Sequence, residues 1–331
     1  MTETVQPQTN VLESAVDMVR DAETIGIVAH VNPDADALGS ILGLTLGLEA
    51  IGKRVVSALS DPVPEYARFL AGTERITSDL PDQPLDLYIF ADSAEIHRVG
   101  EIYVSDPSRF EPSRILNIDH HRTNPAYGRV NYIDPGASST SEMVFRLIQS
   151  LGAEIDRDTA TALLFGIVGD TGSFRNGATT PGSLDVSAQL VARGADIQRI
   201  AFHLFESKTF AAARLWGRVL STIELDAERG IVFAFLTQVM LAEEGATIDE
   251  TEGIVEYLRG ITEAEVVLLL RETEDGNVRV SMRSRPAVDV SAIAKALDGG
   301  GHRQAAGCTI PGTFETAKTA LVETFDRLNP R

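Results

Sequence analysis

The sequence predicts an α/β protein with a parallel-sheet N-terminal domain, covered by helices on both faces, and a smaller C-terminal α/β domain. Three observations predict this fold class. Short apolar runs alternate with helical patterns from residue 24 onward, as in doubly covered parallel sheets. A long helical stretch near residue 200 interrupts the alternation, which then resumes. A chain of 331 residues also suits two domains of about 150 residues each.

The elements follow from periodicity and from the polar residues that end each run. Predicted strands lie at 24–30, 54–59, 86–92 and 114–120, and then at 231–236, 265–271 and 278–284. Predicted helices lie at 11–22, 36–51, 138–151, 157–169 and 182–193, and then at 249–259, 290–297 and 313–328. The stretch 196–222 contains no loop-rich break and predicts one or two helices. We therefore expect a first domain at 1–197, a helical linker at 198–222 and a second domain at 223–331.

Composition excludes several classes of protein. The net charge of −19 argues against duplex DNA as a partner and against an anionic membrane surface. The single cysteine, Cys308, permits no intrachain disulfide and suits a reducing cytoplasm. No apolar run approaches the roughly 20 residues of a membrane span. The acidic start of the chain has no secretory h-region, so we expect a cytoplasmic protein without a membrane anchor.

Histidine and aspartate residues stand at the ends of the predicted N-terminal strands. The carboxyl ends of parallel strands meet at one sheet edge, where ligands bind in open α/β sheets. Six imidazole or carboxylate side chains at that edge could hold two divalent metal ions: His30, Asp34, Asp36, Asp92, His120 and Asp170. Ligation without thiolates favours Mn²⁺, with Zn²⁺, Fe²⁺, Co²⁺ and Mg²⁺ as alternatives. Judged alone, Asp34 or Asp36 could equally cap a helix, and Asp170 could be a turn residue.

A glycine-rich segment in the second domain is the other candidate site. Three glycines at 299–301 precede His302 and Arg303. One glycine would suffice to end a helix, whereas three followed by two polar side chains suit a backbone that closely approaches an anion. We therefore expect Gly300, Gly301, His302 and Arg303 to bind substrate. Arg283, on the predicted strand 278–284, is a further candidate contact for a phosphate.

Five ordered segments resemble the motifs of a known family. HVNPDADALGS, FADS, IDHH and GIVGDTGSF resemble those of the DHH phosphoesterase superfamily, and GGGHRQAAG resembles its accessory DHHA1 domain. The resemblance, strongest to the nanoRNase and oligoribonuclease–pAp phosphatase branch, implies one metal on His30, Asp34 and Asp92. It implies a second metal on Asp36, Asp92, His120 and Asp170, with Asp92 bridging the two. It further implies that Asp119 orients the ligands and that His121 contacts the scissile phosphate.

The same resemblance implies an enzyme, a metal-dependent phosphodiesterase. Its implied substrates are very short oligonucleotides, namely nanoRNA and linear dinucleotides, with pAp and cyclic dinucleotides as further candidates. Short single strands need few phosphate contacts, which agrees with a chain of net charge −19. Two alternatives stay open: a pyrophosphatase- or polyphosphatase-type hydrolase, and a catalytically silent nucleotide-binding regulator. A homodimer is compatible with the resemblance.

Overall fold

The computed structural model describes residues 8–329 and divides the chain into two compact units between Ser207 and Lys208. This division falls inside the stretch 198–222 that the sequence assigns to a linker. The helices of that stretch that precede residue 208 belong to the first unit, and the helix that follows it belongs to the second unit. The remaining domain limits stay predictions, and their outer ends at residues 1 and 331 lie outside the described residues.

The first unit is built on a fully parallel sheet of five strands in the order β2-β1-β3-β4-β5. The strands are β1 (Thr24–Val28), β2 (Arg54–Ala58), β3 (Leu87–Ala91), β4 (Ile115–Asp119) and β5 (Val130–Ile133). The helices are α1 (Gln8–Asp21), α2 (Ala35–Glu49), α3 (Glu101–Val104), α4 (Thr140–Leu151), α5 (Arg157–Asp170), α6 (Pro181–Ala192) and α7 (Ile197–Ala201). A π-helical turn at Phe202–Glu206 ends the unit. The predicted fold class is confirmed, although the sequence did not indicate β5.

Two buried apolar clusters cover the sheet of the first unit, one on each face. The larger cluster joins α1, α2, α4 and α5 to the sheet, and 13 residues of α2 are buried, which explains its almost wholly apolar sequence. Two glycines allow the helices to approach closely. A Cβ at Gly39 on α2 would lie 2.6 Å from the carbonyl oxygen of Ala162 on α5, and a Cβ at Gly166 would collide with Ser141 on α4. This close packing brings the starts of α2 and α4 to the end of α5.

The second unit is a mixed six-stranded sheet in the order β10-β11-β9-β8-β7-β6, with β7 and β8 parallel. Its strands are β6 (Glu224–Asp226), β7 (Ile231–Leu236), β8 (Val266–Glu272), β9 (Asn277–Ser284), β10 (Gly300–His302) and β11 (Ala305–Pro311). Its helices are α8 (Phe210–Leu220), α9 (Gln238–Glu244), α10 (Ile254–Leu258), α11 (Val290–Ala296) and α12 (Phe314–Leu328). One face of the sheet packs on α11 and α12, and the other packs on α8, α9 and α10.

One predicted helix differs from the structure, and two further segments take forms that the sequence left open. The single helix predicted at 249–259 is a 3₁₀ turn followed by α10, because Gly253 adopts a left-handed conformation with φ +90° between them. The helical stretch 196–222 breaks at 207–209, where Thr209 caps α8. The glycine-rich segment forms the edge strand β10. No helix within residues 8–329 is both long and apolar enough to cross a membrane.

Candidate metal centre

All of the histidine and aspartate side chains singled out in the N-terminal sequence meet at the carboxyl edge of the parallel sheet. The structure brings together His30, Asp34, Asp36, Asp92, Asp119, His120, His121 and Asp170. They come from four places in the fold: the loop between β1 and α2, the end of β3, the end of β4 and the last residue of α5. The parallel topology therefore explains why positions spread over 140 residues of sequence converge.

The first two aspartates belong to the start of α2. Asp34 is the N-cap, and its Oδ1 accepts hydrogen bonds from the backbone amides of Asp36 and Ala37, each at 3.0 Å. Asp34 can cap the helix and also belong to the cluster, because one carboxylate carries several lone pairs. Asp36 lies in the first helical turn and is 1% exposed. A carboxylate at a helix N-terminus is favoured by the helix dipole.

His30 points its Nε2 atom at two of the carboxylates. Its Nδ1 lies 2.8 Å from the carbonyl oxygen of Val31, which is the geometry of an Nδ1–H donor. Nε2 then lies 3.7 Å from Asp34 Oδ1 and 3.5 Å from Asp92 Oδ2. With Nδ1 donating to Val31, Nε2 is the ring atom that faces the cluster, and it is the atom that could bind a metal after losing its proton.

Asp92 lies at the centre of the cluster, 1% exposed, with one carboxylate oxygen toward each half of it. Oδ2 faces His30, whereas Oδ1 lies 3.7 Å from Nε2 of His120. On the second side, Nε2 of His120 lies 3.3 Å from Asp170 Oδ2 and 4.0 Å from Asp36 Oδ2. The side chains thus form two groups, and Asp92 borders both.

The pair Asp119 and His121 is held by a buried polar network. Asp119 Oδ1 accepts a hydrogen bond from the backbone amide of His121 at 3.2 Å and lies 2.7 Å from its Nδ1. Asp119 Oδ2 accepts from Nδ2 of Asn124 at 2.6 Å. Burial disfavours the Asp119 carboxylate, but these hydrogen bonds outweigh burial and hold its pKa below the usual range. The same contact with Asp119 raises the pKa of His121.

The start of α4 supplies hydrogen bonds to the cluster that the sequence did not indicate. The backbone amides of Thr140 and Ser141 donate to the two oxygens of Asp36 at 2.6 and 2.9 Å. The hydroxyl of Thr140 donates to Asp92 Oδ1 at 2.9 Å. Both carboxylates are therefore oriented by groups that have no charge of their own. The Ser-Ser-Thr run before α4 is the only sequence signal, and it also reads as an ordinary helix cap.

Backbone strain is concentrated around the same edge. Asn32, Asp92, Ser173 and Phe174 all have positive φ angles, between 52° and 60°. Such left-handed conformations cost of order 1–3 kcal/mol for residues other than glycine and persist where surrounding contacts enforce them. Two of these residues follow Asp170, and a third is Asp92 itself. The strain therefore falls on the segments that place the carboxylates.

The cluster carries excess negative charge in a poorly solvated place. Burial, together with the charges of Asp92 and Asp170, raises the pKa of Asp36 well above its usual range. Burial and the charges of Asp92 and Asp34 raise the pKa of Asp170 to about 8. Burial also disfavours the imidazolium of His30, but Asp34 and Asp92 outweigh it and raise the pKa of His30 to about 10. Each shift has the sign expected where carboxylates are crowded together in a poorly solvated place.

The donor set fits divalent cations. Three overlapping groups of nitrogen and oxygen donors each lie within 4.8 Å of one another: His30, Asp34 and Asp92; Asp36, His120 and Asp170; Asp92, His120 and His121. Neighbouring ligands of an octahedral ion with bonds of about 2.1 Å lie about 3 Å apart, so only small side-chain movements are needed. Imidazole and carboxylate donors without thiolates suit Mn²⁺ and related ions.

We predict that Thr140→Val weakens the binding of Mn²⁺ at least about fivefold, because a hydrogen bond to a charged group contributes about 1.5–3 kcal/mol. The change removes the hydroxyl that orients Asp92 and keeps the size of the side chain and the backbone amide to Asp36. Calorimetric titration of the metal-stripped protein with Mn²⁺ measures the effect. Thr140→Ser, which keeps a hydroxyl, should bind Mn²⁺ like the unmodified protein; equal weakening in both variants would contradict the prediction.

In the second unit, the candidate substrate residues lie at one end of the sheet. Arg283 on β9 is opposite Ala305 on β11, and Ala305 is opposite His302 on β10. Directly opposed residues of antiparallel strands point to the same face, so Arg283 and His302 form one row across three strands. The Arg283 guanidinium is paired with Glu256, with nitrogen–oxygen distances of 2.8 and 3.0 Å. Arg303 follows at the turn and is exposed.

The glycines of this segment have different environments. A Cβ at Gly301, whose φ is +138°, would lie 2.5 Å from Cα of Ala306, and a Cβ at Gly299 would collide with the backbone of Gly307. Close strand contact therefore requires glycine at both positions. A Cβ at Gly300 would meet nothing within 4 Å. Of the three, Gly300 alone has open space at the position of a side chain.

Comparisons with known proteins agree with this arrangement. Residues 24–167 match the model of the DHH family, N-terminal domain, and residues 230–329 match the model of the DHHA1 domain. Fold and site thus define the class of two-domain DHH–DHHA1 proteins, with the acidic cluster in the DHH domain.

Comparison with individual relatives shows which members of this class the chain resembles. The bifunctional oligoribonuclease and PAP phosphatase NrnA of Thermus thermophilus is 39% identical over 289 residues, which cover 87% of this chain and 84% of that protein. The Bacillus subtilis protein of the same name is 30% identical, covering 87% and 90%. The crystal structure of an exopolyphosphatase-related protein from Bacteroides fragilis matches with a TM-score of 0.90 at 26% identity, over 100% of this chain and 99% of that one. The chain belongs to the DHH–DHHA1 family of bifunctional oligoribonucleases and PAP phosphatases.

Proposed function

We propose that this protein is a two-metal phosphoesterase that hydrolyses very short oligoribonucleotides to mononucleotides and removes the 3′-phosphate of PAP. One observation carries the proposal: Asp92 borders two groups of metal-binding side chains at the carboxyl edge of the parallel sheet. Two ions bridged by one carboxylate are the usual arrangement for hydrolysis of phosphate esters. The activities in the names of the relatives support the choice of substrate.

In this proposal the cluster residues divide into two ligand sets. His30, Asp34 and Asp92 hold one ion, and Asp36, Asp92, His120 and Asp170 hold the other. When bound, the ions lower the pKa of water and neutralise the charge that develops on the phosphate. We propose Mn²⁺ as the metal because the donors mix imidazole with carboxylate. The amides of Thr140 and Ser141 donate to the two oxygens of Asp36 and orient its carboxylate for this role.

His121 would contact the scissile phosphate and donate a proton to the leaving oxygen. Its Nδ1 is bound to Asp119, so the ring is held in place and Nε2 is the atom left for the substrate. The raised pKa of His121, caused first by the hydrogen bond to Asp119, favours the protonated form that a general acid needs. Asn124 fixes Asp119 in turn. Asp119 is therefore a positioning residue in this scheme, and His121 is the catalytic one.

The second unit would hold a phosphate of the substrate through Arg283, Gly300, Gly301, His302 and Arg303. We predict that Arg283→Ala raises KM at least about tenfold and changes kcat by less than about threefold, because the lost contact stabilises ground state and transition state alike. Steady-state hydrolysis of a dinucleotide measures both constants. Glu256→Gln should lower KM or leave it unchanged, since it releases Arg283 from its ion pair. A normal KM in Arg283→Ala would contradict the role.

Partners and location follow from the same reasoning. Short single-stranded oligonucleotides or small nucleotides are the proposed substrates, and the charge of −19 disfavours duplex DNA. A cytoplasmic location is proposed because Cys308, the only cysteine, is buried and free. The homodimer compatible with the resemblance stays a prediction.

The test is a chromatographic activity screen with Mn²⁺. Substrates are di- to pentanucleotides labelled at the 5′ end, PAP, cyclic dinucleotides, pyrophosphate and polyphosphate. We expect mononucleotides from the short oligomers and AMP from PAP, with both activities lost in Asp92→Ala. Cleavage of pyrophosphate or polyphosphate alone would replace the proposal with the first alternative. Absence of turnover in a protein that binds Mn²⁺ would favour a nucleotide-binding regulator.

A further inference from the structure

A second row of cationic side chains lies on the same sheet face as Arg283. In β9, alternate residues enter the apolar core, and Arg279, Ser281 and Arg283 point the other way. Arg279 is directly opposite Arg271 on β8 and Thr309 on β11. Arg271, Arg279 and Thr309 therefore form a row parallel to that of Arg283 and His302. We refer to it as the arginine row.

Within the described residues, 8–329, neither arginine of this row is paired with a carboxylate; both contact hydroxyl groups. Arg279 donates to the hydroxyl of Thr309 at 3.3 Å, and the one side-chain contact of Arg271 within hydrogen-bonding distance is the hydroxyl of Thr251 at 3.5 Å. Within residues 8–329, the buried Nε of Arg271 has no hydrogen-bond partner. Burial and the neighbouring charge of Arg279 lower the pKa of Arg271. In a chain of net charge −19, two adjacent guanidinium groups without a carboxylate partner mark a place that attracts anions.

The positions between the two rows are occupied by small residues. The intervening positions are Ser281, Gly307 and Gly300, which are opposite one another on β9, β11 and β10. A Cβ at Gly300 would meet nothing within 4 Å, whereas a Cβ at Gly307 would lie 3.6 Å from an Nη atom of Arg279, so the Arg279 guanidinium extends beside this strip. The Cα atoms of Arg279 and Arg283 lie about 13 Å apart along an extended strand. The Arg283 guanidinium contacts Glu256, whereas that of Arg279 contacts Thr309, so the two rows offer separate positions for a phosphate.

We propose that the arginine row binds a second phosphate of an oligonucleotide, beyond the one held at Arg283, so that affinity rises with substrate length. This inference rests on the proposed function. Guanidinium groups bind phosphate oxygens through paired charge-assisted hydrogen bonds, and the hydroxyl of Thr309 can add another. A 5′-phosphorylated dinucleotide has one phosphate besides the scissile one, and in this proposal Arg283 takes it, whereas a pentanucleotide has further phosphates for the arginine row.

The test compares Arg279→Ala with the unmodified full-length protein on two substrates. For Arg279→Ala we expect the ratio of kcat/KM for a pentanucleotide to that for a dinucleotide to fall about tenfold, the loss of one charged hydrogen-bond contact. The salt dependence of pentanucleotide binding should decrease by about one unit of slope. Lys295→Ala, which removes one exposed charge elsewhere in the unit, should leave the ratio unchanged. An equal loss on both substrates, or the same ratio in both variants, would overturn the proposal.

A binding assay keeps this inference separate from the proposed function. Fluorescence anisotropy in EDTA measures binding of a labelled pentanucleotide without turnover. If the protein hydrolyses no nucleotide, the proposed function fails, yet weaker pentanucleotide binding by Arg279→Ala would still support the arginine row. If the unmodified protein does not bind the pentanucleotide, or if Arg279→Ala binds it equally well, the arginine row is not a phosphate site.

Discussion

Asp92→Asn should lower kcat for short oligonucleotides by at least about a thousandfold and reduce the number of Mn²⁺ ions bound per chain. Asp92 borders both ligand groups, with Oδ2 toward His30 and Oδ1 toward His120. An asparagine has the same shape but no charge and one acceptor atom instead of two. In the proposed scheme Asp92 serves two ions, so its substitution should release at least one of them, whereas a change at any other proposed ligand should affect one ion.

The measurements are single-turnover hydrolysis of a labelled dinucleotide and Mn²⁺ stoichiometry by calorimetry. Asp185→Asn provides a matched control, because Asp185 is an exposed aspartate on α6 outside the cluster. We expect that control to match the unmodified protein in both measurements. Normal hydrolysis by Asp92→Asn with two ions bound would show that Asp92 bridges nothing. The reaction centre would then lie elsewhere.

The strand ends of the first unit could be located from the sequence because a parallel sheet aligns its carboxyl ends whatever the details of packing. Asp92 and Asp119 each follow an apolar run without an intervening turn, so their place at the edge depends on secondary structure alone. The role of Thr140 could not be predicted, because it depends on how α4 packs against α2, 104 positions away from Asp36 in the chain. Side-chain and backbone donors from a distant helix leave no local pattern.

In the second unit, too, some features of the candidate site could be predicted from the sequence and others could not. Arg283 could be selected from its strand and from the resemblance, but its alignment with His302 depends on the register of three antiparallel strands. Strand β10 has three exposed residues and no apolar run, so periodicity could not reveal it. The arginine row could not be predicted from the sequence either, because it depends on strand register. Arg271 and Arg279 are separated by a hairpin, and only the register makes them neighbours.

The second large effect concerns the metal-free protein, which should lose stability as the pH rises from 6 to 8. The pKa of Asp170 is raised from an ordinary 3.8 to about 8, so the folded state holds a proton in this range that the unfolded state has released. For His30 the corresponding values are 6.5 and about 10, which gives the same sign above pH 6.5. A group whose pKa is raised by folding contributes stability that is lost as the pH rises through the folded value.

Each such proton changes the free energy of unfolding by up to about 1.4 kcal/mol per pH unit. We therefore expect the Tm in EDTA to fall by roughly 5–10 °C between pH 6 and pH 8. Scanning calorimetry across this range measures the slope. Asp170→Asn should flatten it and raise the metal-free Tm at pH 8, because the variant removes one buried charge from a repulsive group. A Tm that is constant or rises with pH in EDTA would contradict this account of the site.

Added Mn²⁺ should reverse the pH dependence. Bound cations replace the protons on the same side chains, so their affinity and their stabilising effect increase with pH. In the absence of metal, Asp170→Asn should then be more stable than the unmodified protein. Mn²⁺ should stabilise the variant less than it stabilises the unmodified protein. This result would distinguish a metal centre from a structural ion cluster. In a structural ion cluster, Asp170→Asn would change the stability in the same direction with and without Mn²⁺. If the proposed metal centre is right, the buried carboxylates at the sheet edge lower the stability of the metal-free protein because their arrangement suits bound cations.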